Sequence, residues 1–255
     1  MSLFTHTVGQ GRDLVLLHGW GMNADVWEGI VPSLANDFRV TVIDLPGHGR
    51  SVDPVGEYSL VGLAAQVLDV IPHHAILVGW SLGGMVATQL ALDNPGHLNQ
   101  LVLVASAPQF IRDDSWPNGI EPAVLDGFAG DLRNGFQQTV KRFIAIQSLG
   151  SEHARQQQHA LRERVFRHGN PQVSALEGGL RLLQDTDLRP RLNELDLPVL
   201  LLVGQYDTLF RPAAAQQTLK LIPHAHLEII PGAGHAPFIS HPDVFLEKLT
   251  TFCNG

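Results

Sequence analysis

Short runs rich in leucine and β-branched residues recur along the chain at 14–17, 39–44, 75–79, 101–105, 199–203 and 226–230, each closed by turn-forming residues. The runs are nearly unbroken rather than alternating, as in strands that helices cover on both faces. Helical patterns fill several gaps: Ser59 can cap a helix over 60–71, and a helix over 82–92 follows the third run directly. Strand then helix, repeated, predicts an α/β fold with a mostly parallel, doubly wound sheet. From 111 to 189 the strand runs stop, and Val140, Phe143, Ile144 and Ile146 give an apolar helical face among polar neighbours. Asp113-Asp114-Ser115-Trp116-Pro117-Asn118-Gly119 opens this stretch, and Leu195-Asp196-Leu197-Pro198 returns the chain to the sheet. The expected organisation is a core of 1–110 and 190–255 carrying a helical lid over 111–189.

Composition narrows the function classes. With 255 residues, 44% of them hydrophobic and 16% charged, the chain reads as a packed globular protein. The single cysteine, Cys253, allows no intrachain disulfide, and neither a signal peptide nor a membrane-length apolar run is visible. A cytoplasmic, monomeric protein with no membrane role is expected. The net charge of −8 argues against nucleic acid, whose binding rests on Lys and Arg. Charge is uneven, however. Residues 131–170 hold seven Lys/Arg and three Asp/Glu, a local balance of +4 within an acidic chain. Such a patch is either a solvated helical face or a surface that steers an acidic partner.

Gly79-Trp80-Ser81-Leu82-Gly83 has the G-x-S-x-G form of a nucleophile elbow and lies between a predicted strand and a predicted helix, the context that motif requires. The glycines relieve crowding at a sharp turn, and the helix start favours negative charge developing beside Ser81. The backbone N–H of Leu82 is the first expected oxyanion donor. Trp20, within His18-Gly19-Trp20-Gly21 at the end of the first strand, supplies the second. His18 is given a structural role. Serine needs a base, and of the thirteen histidines His235 alone combines a glycine-rich loop, Pro231-Gly-Ala-Gly-His-Ala-Pro-Phe, with a place directly after the last strand. Asp207, just beyond the run at 199–203, falls between Ser81 and His235 in chain order and is the expected orienting acid. Asp185 and Asp187 compete but follow no strand, and Asp44 reads as a turn-fixing residue. The pairs His73/His74 and His224/His226 lack neighbouring ligands at metal spacing and read as solvated surface, so no metal or organic cofactor is expected.

These motifs, with Leu16-Leu17-His18-Gly19-Trp20-Gly21, Asp44-Leu45-Pro46-Gly47-His48-Gly49-Arg50-Ser51 and Gly234-His235-Ala236-Pro237-Phe238-Ile239-Ser240-His241-Pro242, resemble signatures of the α/β-hydrolases. More narrowly, the chain resembles that family's biotin-pathway branch, the pimeloyl-[acyl-carrier protein] methyl ester esterases. The likeness runs through the insertion, at Gln137-Gln138-Thr139-Val140-Lys141-Arg142-Phe143 and Glu177-Gly178-Gly179-Leu180. It implies the same triad and oxyanion donors, an acyl pocket lined by Trp80, Phe128, Phe143 and Leu209, and an acyl-carrier protein received on Arg142, Arg155 and Arg162. Gln138 and His159 stand where more basic versions of this lid carry arginine. For Phe128 and Phe143, packing of the lid against the core is an equally good reading.

Within the same scaffold, a general short-chain carboxylesterase acting on small-molecule esters and a carbon–carbon bond hydrolase use the same triad. A haloalkane dehalogenase is disfavoured because its nucleophile is a carboxylate. A non-catalytic ligand receptor is the alternative from a different class.

Overall fold

The computed structural model describes residues 3–51, 58–147 and 154–255. Among them, seven strands form one sheet in the order β1-β3-β2-β4-β5-β6-β7. They are β1 (Thr5–Val8), β2 (Arg12–Leu17), β3 (Phe38–Ile43), β4 (Ala75–Trp80), β5 (Leu98–Val104), β6 (Val199–Gly204) and β7 (Ala225–Ile230). All neighbouring pairs are parallel except β1 with β3. The six apolar runs therefore became the six parallel strands. β4 and β6 are buried along their whole length, which is why their sequences do not alternate.

The antiparallel edge strand β1 was not expected. Its sequence Thr-His-Thr-Val carries no apolar run, and three of its four residues are exposed. What builds it is register against β3, Thr5 opposite Ile43 through Val8 opposite Val40.

The helices are α1 (Val31–Leu34), α2 (Leu60–Leu68), α3 (Leu82–Asp93), α4 (Pro122–Gln147), α5 (Ala154–Val165), α6 (Val173–Asp185), α7 (Pro212–Leu219), α8 (Pro237–Ser240) and α9 (Pro242–Asn254). Ser59 caps α2 as expected, its hydroxyl accepting from Gly62 N–H at 3.1 Å. α3 is buried on every side through Leu92, so it has almost no amphipathic pattern and lies wholly inside the molecule. On α9, Phe245, Leu249 and Cys253 form the buried stripe, and burial pushes the Cys253 thiol up to about 12.

Between β5 and β6 the chain forms α4, α5 and α6. α4 breaks at Gly135, which has φ 159° and ψ 95°. α6 comes down on the sheet side of the molecule through a pair of glycines. A Cβ on Gly178 would stand 2.5 Å from Tyr58 Cβ, and one on Gly179 would stand 2.6 Å from the indole Cδ1 of Trp20. The Trp20 indole N–H in turn donates to the Leu176 carbonyl at 2.8 Å. The α6 helix is thus keyed to the loop after β2. Two charged clusters fasten the same segment. Arg189 binds Asp187 and Asp113, while Arg167 and His168 reach Asp25 at 3.0 and 2.8 Å.

The close approach at Gly179 gives a direct test. Gly179→Val forces α6 away from Trp20 and is expected to cost about 1–3 kcal/mol, read as a lower urea midpoint with an unchanged m-value.

Candidate active site

Each expected catalytic residue lies at the C-terminal edge of the parallel strands: Trp20 beyond β2, Ser81 beyond β4, Asp207 beyond β6 and His235 beyond β7. That edge is where open α/β sheets gather ligands. Ser81 adopts φ 54° and ψ −118°, a backbone strain worth about 1–3 kcal/mol for a non-glycine residue. Neighbours enforce it. Ser81 N–H donates to Val104 O at 3.0 Å, and Ser106 Oγ donates to Ser81 O at 2.7 Å. A Cβ on Gly79 would meet Gly83 O at 2.4 Å, and one on Gly83 would meet His18 O at 2.5 Å, so both glycines of the elbow are required.

The loop after β2 lies against this turn. A Cβ on Gly19 would stand only 3.2 Å from Ser81 Cβ. Leu82 opens α3, where a backbone N–H has no partner within the helix, and among the described residues no carbonyl accepts from the N–H of Leu82 or of Trp20. Two free donors next to a serine are what an oxyanion site requires.

The conformation of that loop rests on His18, fully buried beneath it. Leu45 N–H donates to His18 Nε2 at 2.9 Å, so the ring proton is on Nδ1, which donates to Gly19 O at 2.8 Å. The ring is therefore neutral and bridges two loops. Burial first, and then His48, push its pKa down from 6.5 to about 3. Asp44, also fully buried, anchors the second loop: its carboxylate accepts from Ala24 N–H at 2.7 Å and from Arg50 N–H and Nε at 2.8 Å each. Burial works against its ionisation, but the Arg50 hydrogen bonds and the backbone donors outweigh this and hold the carboxyl below the usual range. The turn-fixing role expected of Asp44 is what these contacts describe.

His235 Nδ1 bonds Asp207 Oδ2 at 2.8 Å, and the other carboxylate oxygen of Asp207 accepts from Leu209 N–H at 2.8 Å and Phe210 N–H at 2.9 Å. With Nδ1 donating, Nε2 is left as the basic nitrogen. It is buried and has no hydrogen-bond partner among the described residues. The backbone of His235 is clamped from both sides: its N–H donates to Gln147 O at 3.1 Å, and its carbonyl accepts from Trp80 Nε1 at 2.8 Å. Trp80 directly precedes Ser81, so one side chain ties the histidine loop to the serine turn. Asp187, the competing acid, is engaged with Arg189 at 2.8 Å.

Beside Ser81 lies a small apolar cavity lined by Phe110, Ile120, Leu125, Phe143, Leu183 and Leu209. Its free volume, about 10 Å³, takes roughly one water-sized or methyl-sized group. Of the expected pocket residues, Phe143 and Leu209 line it. Trp80 instead packs on Trp27 and Phe238, and Phe128 lies behind, against Trp20 and Phe143. Phe110, Ile120, Leu125 and Leu183 carried no sequence signal, since apolar residues in and beside the insertion look alike whether they face a cavity or the core. Wider concavities exist elsewhere, such as one of about 530 Å³ beside Trp116 and Arg189, but Ser81 and His235 do not line them. Among the described residues, no group of three or more His, Cys, Asp or Glu is arranged to hold a metal, and no helix is long and apolar enough to cross a membrane. His73, exposed, stacks on His97 with ring centroids 4.1 Å apart.

Five arginines of the insertion differ in how they are paired. Arg142, Arg155 and Arg162 are exposed; Arg142 pairs with Asp131 and lies over the Phe128 ring at 5.3 Å. Arg164, half-buried, and Arg167, exposed, are paired with the carboxylates of Glu28 and Asp25. The net positive count of the segment therefore overstates the charge it presents outward.

Residues 14–242 match the family described as alpha/beta hydrolase fold, and the chain belongs to that family. Two relatives, from Aeromonas hydrophila subsp. hydrophila and Edwardsiella ictaluri, are each 48% identical to it over 255 residues, covering 99% and 100% of this chain and 99% and 98% of their own. Both are named pimeloyl-[acyl-carrier protein] methyl ester esterase. Among solved structures, an esterase from Exiguobacterium antarcticum superposes with a TM-score of 0.91 at 24% identity, covering 99% of this chain and 96% of that one. The esterase RhEst1 from Rhodococcus sp. ECU1013 superposes at 0.79 with 26% identity, covering 100% and 99%.

The depressed pKa of His18 has a sign that can be measured. The folded protein takes up this proton only near pH 3, the unfolded chain near 6.5, so stability is present above 6.5 and is lost as pH falls towards 3. Between pH 6 and 5, His18→Asn should flatten the stability–pH slope by about 1.4 kcal/mol per pH unit, measured by urea unfolding at each pH.

Proposed function

We propose that this chain is a serine carboxylesterase that hydrolyses the methyl ester of pimeloyl-[acyl-carrier protein], with Ser81 as nucleophile, His235 as base and Asp207 as the orienting acid. The observation that carries the reading is the Asp207–His235 pair, 2.8 Å apart, whose free Nε2 lies on the loop that Trp80 ties to the strained Ser81 turn. The full-length similarity to enzymes of that name supports the choice of substrate. His235 takes the Ser81 proton as the oxygen attacks the ester carbonyl, and the N–H groups of Trp20 and Leu82 hold the oxyanion. Collapse of the tetrahedral intermediate, with the proton passed from His235 to the leaving oxygen, gives an acyl-enzyme and methanol. His235 then draws a proton from water, which attacks the acyl carbon, and returns that proton to the departing Ser81 oxygen as the carboxylate is freed. Asp207 stabilises the imidazolium in both halves. None of these steps calls on a cofactor.

Residues 111–189 act in this proposal as a lid. Phe143, Leu125 and Leu183 roof the cavity, and exposed Arg142, Arg155 and Arg162 face an acidic carrier protein. The Arg142–Asp131 pair favours a second reading, a general carboxylesterase of small esters, because it neutralises one of the three docking cations.

Two experiments test the assignment. Ser81→Ala is expected to lower kcat by about 10⁶, and Asp207→Asn by about 10⁴, with the fold retained by circular dichroism. On the methyl pimeloyl carrier protein, dimethyl pimelate and p-nitrophenyl acetate, the wild type should show its highest kcat/KM on the carrier-bound ester. The double charge reversal Arg155→Glu/Arg162→Glu should lower only that value, by roughly tenfold and mainly through KM. Equal rates on all three esters would instead establish the general carboxylesterase.

A further inference from the structure

Ser81 and His235 are each 1% exposed, and the cavity beside Ser81 has room for one methyl-sized group. An ester with its acyl chain reaches the serine only if part of the surrounding wall moves. Most of that wall is pinned. α6, which supplies Leu183, is keyed to Trp20 at Gly179 and through the indole hydrogen bond to Leu176 O. Ile120 N–H donates to Phe110 O at 2.8 Å, and Leu209 N–H to the Asp207 carboxylate. The second limb of α4, 136–147, carries Phe143, buries Val140 and Ile144 completely and ends on the carbonyl that holds His235 N–H.

The first limb, 122–134, is held differently. It supplies Leu125 to the cavity and is set off from the second limb by the break at Gly135. α4 packs on α6 and on α5, and Leu125, Phe128 and Leu132 form the buried stripe of this limb. Its seam with α6 is incompletely filled, leaving a concavity of about 250 Å³ between Ala129 and Leu132 on one side and Leu180 and Gln184 on the other. Gly127 and Gly130 interrupt the limb at points where a Cβ would meet nothing within 4 Å. Close packing therefore does not call for glycine there, and each weakens the helix relative to alanine.

One side chain spans the break. Arg142, on the second limb, pairs with Asp131 on the first and lies over the Phe128 ring at 5.3 Å. The two paired side chains are 58% and 45% exposed, and an ion pair so placed is weak enough to yield to a competing anion. We propose that 122–134 is a gate over Ser81, latched by Arg142 to Asp131 and Phe128, and that the acidic surface of the carrier protein opens it by drawing Arg142 away from Asp131. This rests on the esterase reading above and adds to it a coupling between arrival of the carrier and admission of its ester.

Hydrogen–deuterium exchange and kcat/KM on dimethyl pimelate and methyl pimeloyl carrier protein test the proposal in the full chain. In the wild type, 122–134 should exchange faster than α6. Gly127→Ala/Gly130→Ala, which stiffens the limb, should slow that exchange by roughly tenfold and lower kcat/KM on both esters. Asp131→Asn, which releases the latch, should have the opposite effect and raise kcat/KM on both by about two- to fivefold. Carrier protein lacking its prosthetic arm should speed exchange at 122–134 in the wild type and add little in Asp131→Asn. Exchange at 122–134 as slow as in α6, or rates unmoved by both variants, would overturn the gate. Slower exchange at 122–134 on adding the carrier would overturn the trigger, since it would show docking that holds the limb down. A carrier that alters exchange nowhere, with a wild type that shows no preference for the carrier-bound ester, would instead sink the esterase reading on which the inference rests.

Discussion

A serine held at φ 54° at the mouth of a buried strand sets the conditions for everything around it. The conformation is unfavourable by itself, so the fold must supply restraint from several directions. β5 accepts the Ser81 N–H, Ser106 grips its carbonyl, the first turn of α3 leaves room only for glycine at 79, and the chain at Leu17–His18 leaves room only for glycine at 83. α3 is then obliged to start at Leu82 and to run through the interior, which explains why a helix with so little amphipathic character is nonetheless stable. Strain at one residue and complete burial of the helix behind it are two aspects of the same arrangement.

The histidine side is organised by a different principle. Its loop borrows restraints from other elements, with the Trp80 indole on one flank and the main-chain carbonyl of Gln147 on the other. Because Gln147 ends α4, the placement of the base depends on the helical segment between β5 and β6. That segment is in turn fastened at Arg189 and at the Asp25 cluster, both well separated in sequence from the reacting atoms. Asp25 joins Arg50, which also grips Asp44, so a chain of ion pairs and buried hydrogen bonds runs from Arg167 and His168, just beyond α5, to the His18–Gly19 turn.

The parallel strands, α2, α3 and the motif residues were legible because each rests on local chemistry: an apolar run, a serine cap, a glycine turn. β1 was not, since an exposed Thr-His-Thr-Val strand is specified by its partner β3 rather than by its own residues. The same limit applies to the side chains around the site. Nothing local in Gly79-Trp80-Ser81 distinguishes an indole that lines a pocket from one that clamps a backbone carbonyl 155 residues away. Charge counting ran into a related difficulty, because Arg164 and Arg167 add to a basic segment yet are neutralised by Glu28 and Asp25, which lie far off in sequence.

Cys253 gives the chain a property unrelated to ester chemistry. It is the single thiol, it is fully buried under the C-terminal helix, and its pKa of about 12 leaves almost no thiolate at neutral pH. Alkylating reagents reach it only when α9 detaches or the molecule opens. The native protein thus carries a built-in clock for its own opening, and the rate at which a chromogenic disulfide or maleimide is consumed reports that motion without any engineered label.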